Sequence, residues 1–369
     1  MLPPFADVSF ARTAARLRPR RVRVMRYEYG HEVAVVRVRE PEISAVRYRS
    51  DTPVRLTWGS APNLLSRFVG YVHHIEADTG IEEDRVPLVD VYLVSATRAA
   101  FGDRARSWAH ARTDQLVRQA ARELRLGHWA QKSRRVLTNV MQHGDTWEFL
   151  AEKAREEGMV LYAEGATIYL VDPARVLELE GPTAPILSKR LVRSLRPVSG
   201  EHRQEDYEAA VTFGYGVNDR GELVAARDRR ASTRDRRRAL EPAPRTRRLA
   251  RAGSWTSAGE IERDLQASVN LSRYVYKAVA EVVPSTLYHV TQPVFVRGHG
   301  DRYEGMWRVS EAEFELDFEQ QELTAELLLR RFNTVDPVNV PSKAGQRSLR
   351  PPPVPVRFVN ERWVAAVVR

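Results

Sequence analysis

The chain has 369 residues, 43% hydrophobic and 8% aromatic, so it is long enough for two or three domains with real cores and is not globally disordered. It has no cysteine, which excludes disulfides and thiolate metal sites, and no apolar run long enough to predict a membrane span. The net charge of +10 is concentrated: residues 225–251 hold eleven arginines against Asp228, Asp235 and Glu241, residues 11–26 hold seven arginines and no acid, and the remainder is mildly acidic.

The opening MLPPFADVSF lacks a basic start followed by an apolar stretch, so no signal peptide is expected. Residues 20–99 read as strands. Arg21-Val22-Arg23-Val24, Val36-Arg37-Val38-Arg39 and Val46-Arg47-Tyr48-Arg49 alternate strictly, and period two gives one apolar and one solvated face. The segments 53–59, 66–78 and 85–98 continue the pattern between turn signals at Tyr29-Gly30, Glu40-Pro41, Ser50-Asp51 and Asp78-Thr79-Gly80. Over 108–124 the period changes to that of a helix, with Leu116, Ala120 and Leu124 on one face and Gly127 as its C-cap.

Residues 136–173 predict a strand–helix–hairpin unit. Asp145 caps a helix whose apolar face is Trp147, Leu150, Ala151 and Ala154, Gly158 ends it, and strands at 159–162 and 167–171 follow. A second β region begins near 207, with a hairpin turn at Asn218–Gly221, then the arginine-rich loop. A helix is predicted over 258–283 from Ile261, Leu265, Val269 and Tyr276, stopped by Pro284, before strands at 287–297 and 305–330. After 333 six prolines favour an extended arm that closes on RFVNERWVAAVV. Phe358, Trp363, Val364 and Val367 give the arm an apolar end suited to docking on a neighbouring subunit.

No phosphate loop, nucleophile elbow, zinc-protease helix or calcium loop is present, and no carboxylate pair is marked as general acid and base, so no catalytic activity, cofactor or metal is expected. His73 and His74 are adjacent on a strand, so their rings are expected on opposite faces, one packed and one solvated. His143 is explained by the helix cap beside it, and His299 by its turn. Glu313, Glu315, Asp317 and Glu319 alternate with Phe314, Leu316 and Phe318. They form either an ordinary solvated strand or the wall of a lumen, where like charge would keep DNA from sticking. The arginine-rich loop has no interleaved aromatic residues to stack bases, which favours a solvated loop or an acidic protein neighbour over nucleic acid. Gly144-Asp145-Thr146 is similar to the opening of LysM peptidoglycan-binding modules, although a hairpin follows here where LysM has a second helix. A cell-wall-binding or wall-degrading tail protein using residues 140–172 is therefore the alternative reading.

Read in order, three stretches over about 20–332 resemble the late control D family of phage tail and baseplate hubs, related to the N-terminal part of VgrG spikes. They are Phe68-Val69-Gly70-Tyr71-Val72-His73-His74-Ile75, the element from Gly144 to Met159 with its hairpin ending at Pro173, and Gly305-Met306-Trp307-Arg308-Val309 after the strand at 293–296. The resemblance implies a β-rich α+β fold. Two antiparallel barrel-like domains (1–105 and 191–332) would flank a helical linker (106–130) and a small α/β domain (131–190), with an extended arm at 333–369. The second barrel would carry the loop 225–253 and the helix 258–283. It further implies a homotrimer forming a pseudo-six-fold ring in the tail tip or baseplate of a virion, assembled in the host cytoplasm. The partners would be the distal tail or tube protein, the C-terminal end of the tape measure and a spike or fibre. DNA would only pass through, and the chain would not insert into a membrane.

Overall fold

Alternation dictates the main sheet. In the computed structural model, which describes residues 3–10, 16–39, 51–60, 64–77, 87–102, 104–133, 136–198, 209–217, 223–228, 246–252, 276–300, 303–331, 355–359 and 362–366, the first β region forms seven strands. These are β1 (Pro4–Phe10), β2 (Arg16–Leu17), β3 (Arg21–Tyr27), β4 (Val33–Arg39), β5 (Pro53–Ser60), β6 (Leu64–Ala77) and β7 (Leu88–Ser95). Val22 and Val24 of β3, and Ala34, Val36 and Val38 of β4, are buried, while the intervening residues face outward. The expected strand at 46–49 lies outside the described residues.

The middle of the chain folds as a small α/β unit. It comprises β8 (Arg106–Ala111), α1 (Thr113–Leu124), β9 (Gly127–Ala130), β10 (Leu137–Gln142), α2 (Thr146–Glu156), β11 (Val160–Glu164), β12 (Thr167–Val171) and α3 (Pro173–Glu180). β8 pairs with β10, and β11, β12 and β9 form a three-stranded sheet on which α1 and α2 pack through Leu116, Val117, Leu150, Ala151 and Ala154. The Asp145 carboxylate accepts from the Trp147 and Glu148 amides at 2.7 and 3.0 Å, as its cap position requires. Two expectations are corrected. Residues 108–111 are strand rather than the first turn of a helix, because Ala111, Ala109, Trp108 and Ser107 pair with Leu137, Asn139, Val140 and Met141. The helix ends on Arg125 in the left-handed conformation (φ 58°), not on Gly127, which already pairs in β9.

The rest of the chain gives β13 (Ile186–Ser188), β14 (Val192–Pro197), β15 (Ala209–Val217), β16 (Leu223–Asp228), β17 (Thr246–Ala252), β18 (Tyr276–Val282), β19 (Pro293–Arg297), β20 (Gly305–Asp317), β21 (Glu322–Arg331) and the hairpin β22 (Val356–Val359) and β23 (Arg362–Ala365). Both described ends of the arginine-rich stretch are thus strands, β16 and β17, each paired with β15. Residues 276–282, expected as the end of a helix, are strand: Ala278, Ala280 and Val282 are buried with period two, and β18 lies between β14 and β21. Residues 258–275, the turn at 218–221, the middle of the arginine-rich stretch, most of the arm and Val367 lie outside the described residues.

The two β regions are joined by β20. Its first part pairs with β19 and its second part, Glu311–Asp317, with β3 of the first region, which makes one 13-stranded sheet ordered β14-β18-β21-β20-β3-β4-β7-β6-β5-β1-β2 with β19 and β13 as a side branch. Along that order β5 is five strands from β20, about 24 Å in a flat sheet. Trp58 of β5 nevertheless lies 5.0 Å from the Phe314 ring of β20. The sheet therefore rolls over its own core, in which residues of both regions intermingle, but no closed barrel forms among the described residues.

Gly70, centre of the Phe68–Ile75 motif, is glycine for a steric reason. A Cβ there would lie 2.1 Å from the Val94 carbonyl oxygen across the β6–β7 pair. Gly70→Ala is expected to destabilise the fold by about 1–3 kcal/mol or more through overpacking, read as a lower denaturant midpoint at unchanged slope.

Candidate functional site

The connection between β3 and β4, residues 28–32, is the grip between the sheet and the small unit. The Tyr29 amide donates to the Leu161 carbonyl at 2.6 Å, its hydroxyl to the Met159 carbonyl at 2.9 Å, and its own carbonyl accepts from the Trp147 indole at 3.0 Å. His31 packs on Trp147 and Phe101 with ring centroids 4.1 and 4.4 Å away, and its Nδ1 is 2.7 Å from the Thr97 hydroxyl. Burial depresses the His31 pKa from the ordinary 6.5 to about 4, against a weaker upward pull from Asp145.

Beneath this grip lies a buried charge cluster. The Arg26 guanidinium, 1% exposed, donates from Nε to Glu32 at 2.8 Å, lies 2.9 Å from Glu164 at the end of β11, and reaches Ser66 at 3.0 Å and the Tyr288 carbonyl at 3.3 Å. It also sits over the Trp58 and Phe314 rings at 5.5 and 5.7 Å. Glu32 accepts from the Gly165 amide at 2.6 Å, and Glu164 contacts His289 Nδ1 at 2.9 Å. One guanidinium thus ties four separate parts of the chain. Burial pushes the Glu32 carboxyl above the usual range, although Arg26 opposes this. Sequence reading missed the cluster, yet a signal was present: Arg26 has the parity of Val22 and Val24, the buried phase of β3.

The expected acidic strand is present, with Glu313, Glu315 and Asp317 on the outward face of β20, but it is not an unpaired acidic surface. The register sets Glu315 opposite Arg23 and Asp317 opposite Arg21. Arg23 pairs with Glu313 at 2.9 Å, Arg21 lies 3.3 Å from both Glu315 and Asp317, and Arg20 pairs with Glu319 beyond the strand end. Partial burial acts against it, but amide hydrogen bonds from Gln320 and Glu319, with Arg21, hold the Asp317 carboxyl below the ordinary carboxylate range. Neighbouring strands continue the pattern: Arg37 of β4 forks onto Asp90 of β7 at 2.9 Å, and Arg193 of β14 pairs with Glu322 of β21. The outward face thus carries ion pairs across the part of the sheet from β14 to β7.

The arm's end is docked on its own chain. Trp363, 3% exposed, donates from its indole to the Gly70 carbonyl at 2.8 Å and from its amide to the Tyr71 hydroxyl at 3.0 Å. Arg55 stands over its ring at 5.3 Å and Phe358 packs against it at 5.3 Å. Val364 is buried, and the Ala365 amide donates to the carbonyl of Arg125 at the end of α1. His73 and His74 do not separate as expected. A bulge between Val72 and His74 leaves both exposed with rings 5.1 Å apart, His74 stacked on Tyr92. Among the described residues no group of three or more metal-ligating side chains converges.

A groove of about 460 Å³ beside α2 is lined by Met141, His143, Asp145, Glu148, Phe149 and Lys153, among others. Asp145 is committed to capping and to the Gly102 amide at 3.0 Å, and Trp147 is 4% exposed with its indole bonded internally. Trp147 is thus buried and does not line the groove, while Asp145 caps α2 at the groove's wall.

Compared by sequence, the chain matches no protein-family profile and no curated protein. Compared by structure, it matches the 43 kDa tail protein of prophage MuSo2 from Shewanella oneidensis (TM-score 0.63, 11% identity, 89% of this chain and 98% of that one). It also matches a tail protein from Neisseria meningitidis MC58 (TM-score 0.65, 9% identity, 93% and 100%). A third match, with TM-score 0.54 and 9% identity over 95% and 81% of the two chains, is an Escherichia coli component of the type VI secretion system described as structurally similar to the T4 tail proteins gp27 and gp5. The chain thus shares the β-rich fold of these tail proteins and of this type VI secretion component.

Two outcomes follow from the buried groups. Because the folded His31 pKa lies below its unfolded value, its contribution is complete above about pH 6.5 and is lost as the pH falls toward 4, amounting to about 3 kcal/mol. His31→Phe should flatten the dependence of the denaturation midpoint over that window. Arg26→Met should cost about 3–5 kcal/mol by stranding Glu32 and Glu164, and adding Glu32→Gln and Glu164→Gln should restore most of it, both read by chemical denaturation.

Proposed function

We propose that this chain is a structural hub of a phage-type tail tip or baseplate, acting without catalysis as a trimeric pseudo-six-fold ring. The observation that carries the reading is the extent of the shared fold: the likeness covers 89–93% of this chain and 98–100% of a prophage tail protein and a second tail protein. In this reading the ring joins the tail tube or distal tail protein to a spike or fibre and surrounds the end of the tape measure and the path of DNA. Its place is the tail tip of a virion assembled in the host cytoplasm.

The outward face of β20 is the candidate channel wall. Its carboxylates are matched by Arg20, Arg21 and Arg23, so the strand pair offers passing phosphate neither a bare cationic track nor a strong repulsive one. The rigid union of the two β regions through β20 suits a part that transmits position rather than one that opens.

Native mass spectrometry and electron microscopy of the purified protein test the proposal. A trimer with a central channel is expected. A chain that stays monomeric in the presence of its neighbouring tail proteins overturns it.

A further inference from the structure

The docked hairpin β22–β23 has an unusual relation to the body. Among the described residues its two strands pair only with each other, so there it extends no other sheet and is held by discrete contacts. The seat is built from Arg55 on β5, Gly70 and Tyr71 on β6 and the carbonyl of Arg125 after α1. Each contact is specific: an indole hydrogen bond to a carbonyl whose residue must be glycine, a cation over the ring, a hydroxyl on the amide, and a carbonyl freed by the left-handed end of α1. This is a recognition site for one tryptophan-bearing hairpin.

Covalent connection does not fix whose hairpin fills it. Residues 332–354 separate Arg331 from Pro355 and can reach up to about 80 Å when extended, whereas a body of this length has a radius of gyration of about 21 Å. A tether this long and rich in proline gives the chain's own seat only a modest effective concentration, so an equivalent seat on an adjacent copy competes on equal contacts. In a closed ring the exchange keeps every contact of the hairpin and adds a covalent strap across each interface.

We propose that residues 355–366 are exchanged between copies, each hairpin seating Trp363 on the Arg55–Gly70–Tyr71–Arg125 site of its neighbour; the inference rests on the ring reading above. The absence of native cysteine makes a direct test available. A size-tagged full-length chain carrying Arg122→Cys, on the exposed last turn of α1, is co-expressed with an untagged chain carrying Ala366→Cys, and the assembly is treated with a short bis-maleimide. A cross-linked product of tagged plus untagged mass is expected, reduced at least tenfold when the Ala366→Cys chain also carries Trp363→Ala. A control chain with both cysteines expressed alone should give covalent multimers. If it gives only internally linked monomers while native mass spectrometry still reports a trimer, exchange is overturned and the ring reading survives. A monomeric mass overturns both.

Discussion

The placement of this fold's parts against one another turns on burying one arginine. Removing a guanidinium from water costs several kcal/mol, and Arg26 recovers that cost only because two carboxylates, a hydroxyl, a carbonyl and two aromatic faces converge on it. Those groups come from the β3–β4 connection, β6, the β11 hairpin, the segment before β19, and β5 and β20. Satisfying one charge therefore sets the position of the small unit against the sheet and of one β region against the other. A purely apolar contact would tolerate sliding between these parts. A forked, directional donor does not.

The same logic of pairing governs the exterior. The charges on the outward face of the sheet are matched across strands, so that acidic β20 is flanked by the arginines of β3, and Arg193 of β14 reaches Glu322 of β21 across β18. Each exposed pair is individually weak. Register is fixed together with the apolar face beneath them, since a slip of one residue would set Glu315 opposite a valine instead of Arg23 and turn Val22 and Val24 outward.

Much of this was legible in the sequence, and the failures have physical causes. The strict alternation of β3 and β4, the Asp145 cap and the end of α2 at Gly158 are local signals, and they survive folding unchanged. Residues 276–282 misled because a helical stripe from Ile261 to Tyr276 ran into a segment whose own period is two, and tertiary pairing with β14 and β21 decides it. α3 has a local signal in Asp172 before Pro173, a helix start, but the same proline also reads as the end of the hairpin. The acidic strand and the basic strand were both visible, but their pairing spans most of the chain and no local pattern announces it. The sequence predicts that Trp363 docks on a neighbouring subunit, whereas the structure seats it on its own chain. The seat has no local signature, because it is assembled from β5, β6 and the end of α1.

The β3–β20 ladder also bears on biosynthesis. Arg23 and Glu313, ion-paired across it, are 290 residues apart. At about 5–20 residues per second, the ribosome leaves the edge of β3 without its mate for about 15–60 s. An unpaired strand edge is a template for wrong partners throughout that interval. The outward arginines of β3 guard that edge, since a second nascent chain offering its own β3 in parallel register would set Arg21 and Arg23 against like charge. The residues that later close the sheet thus begin as its protection against premature association.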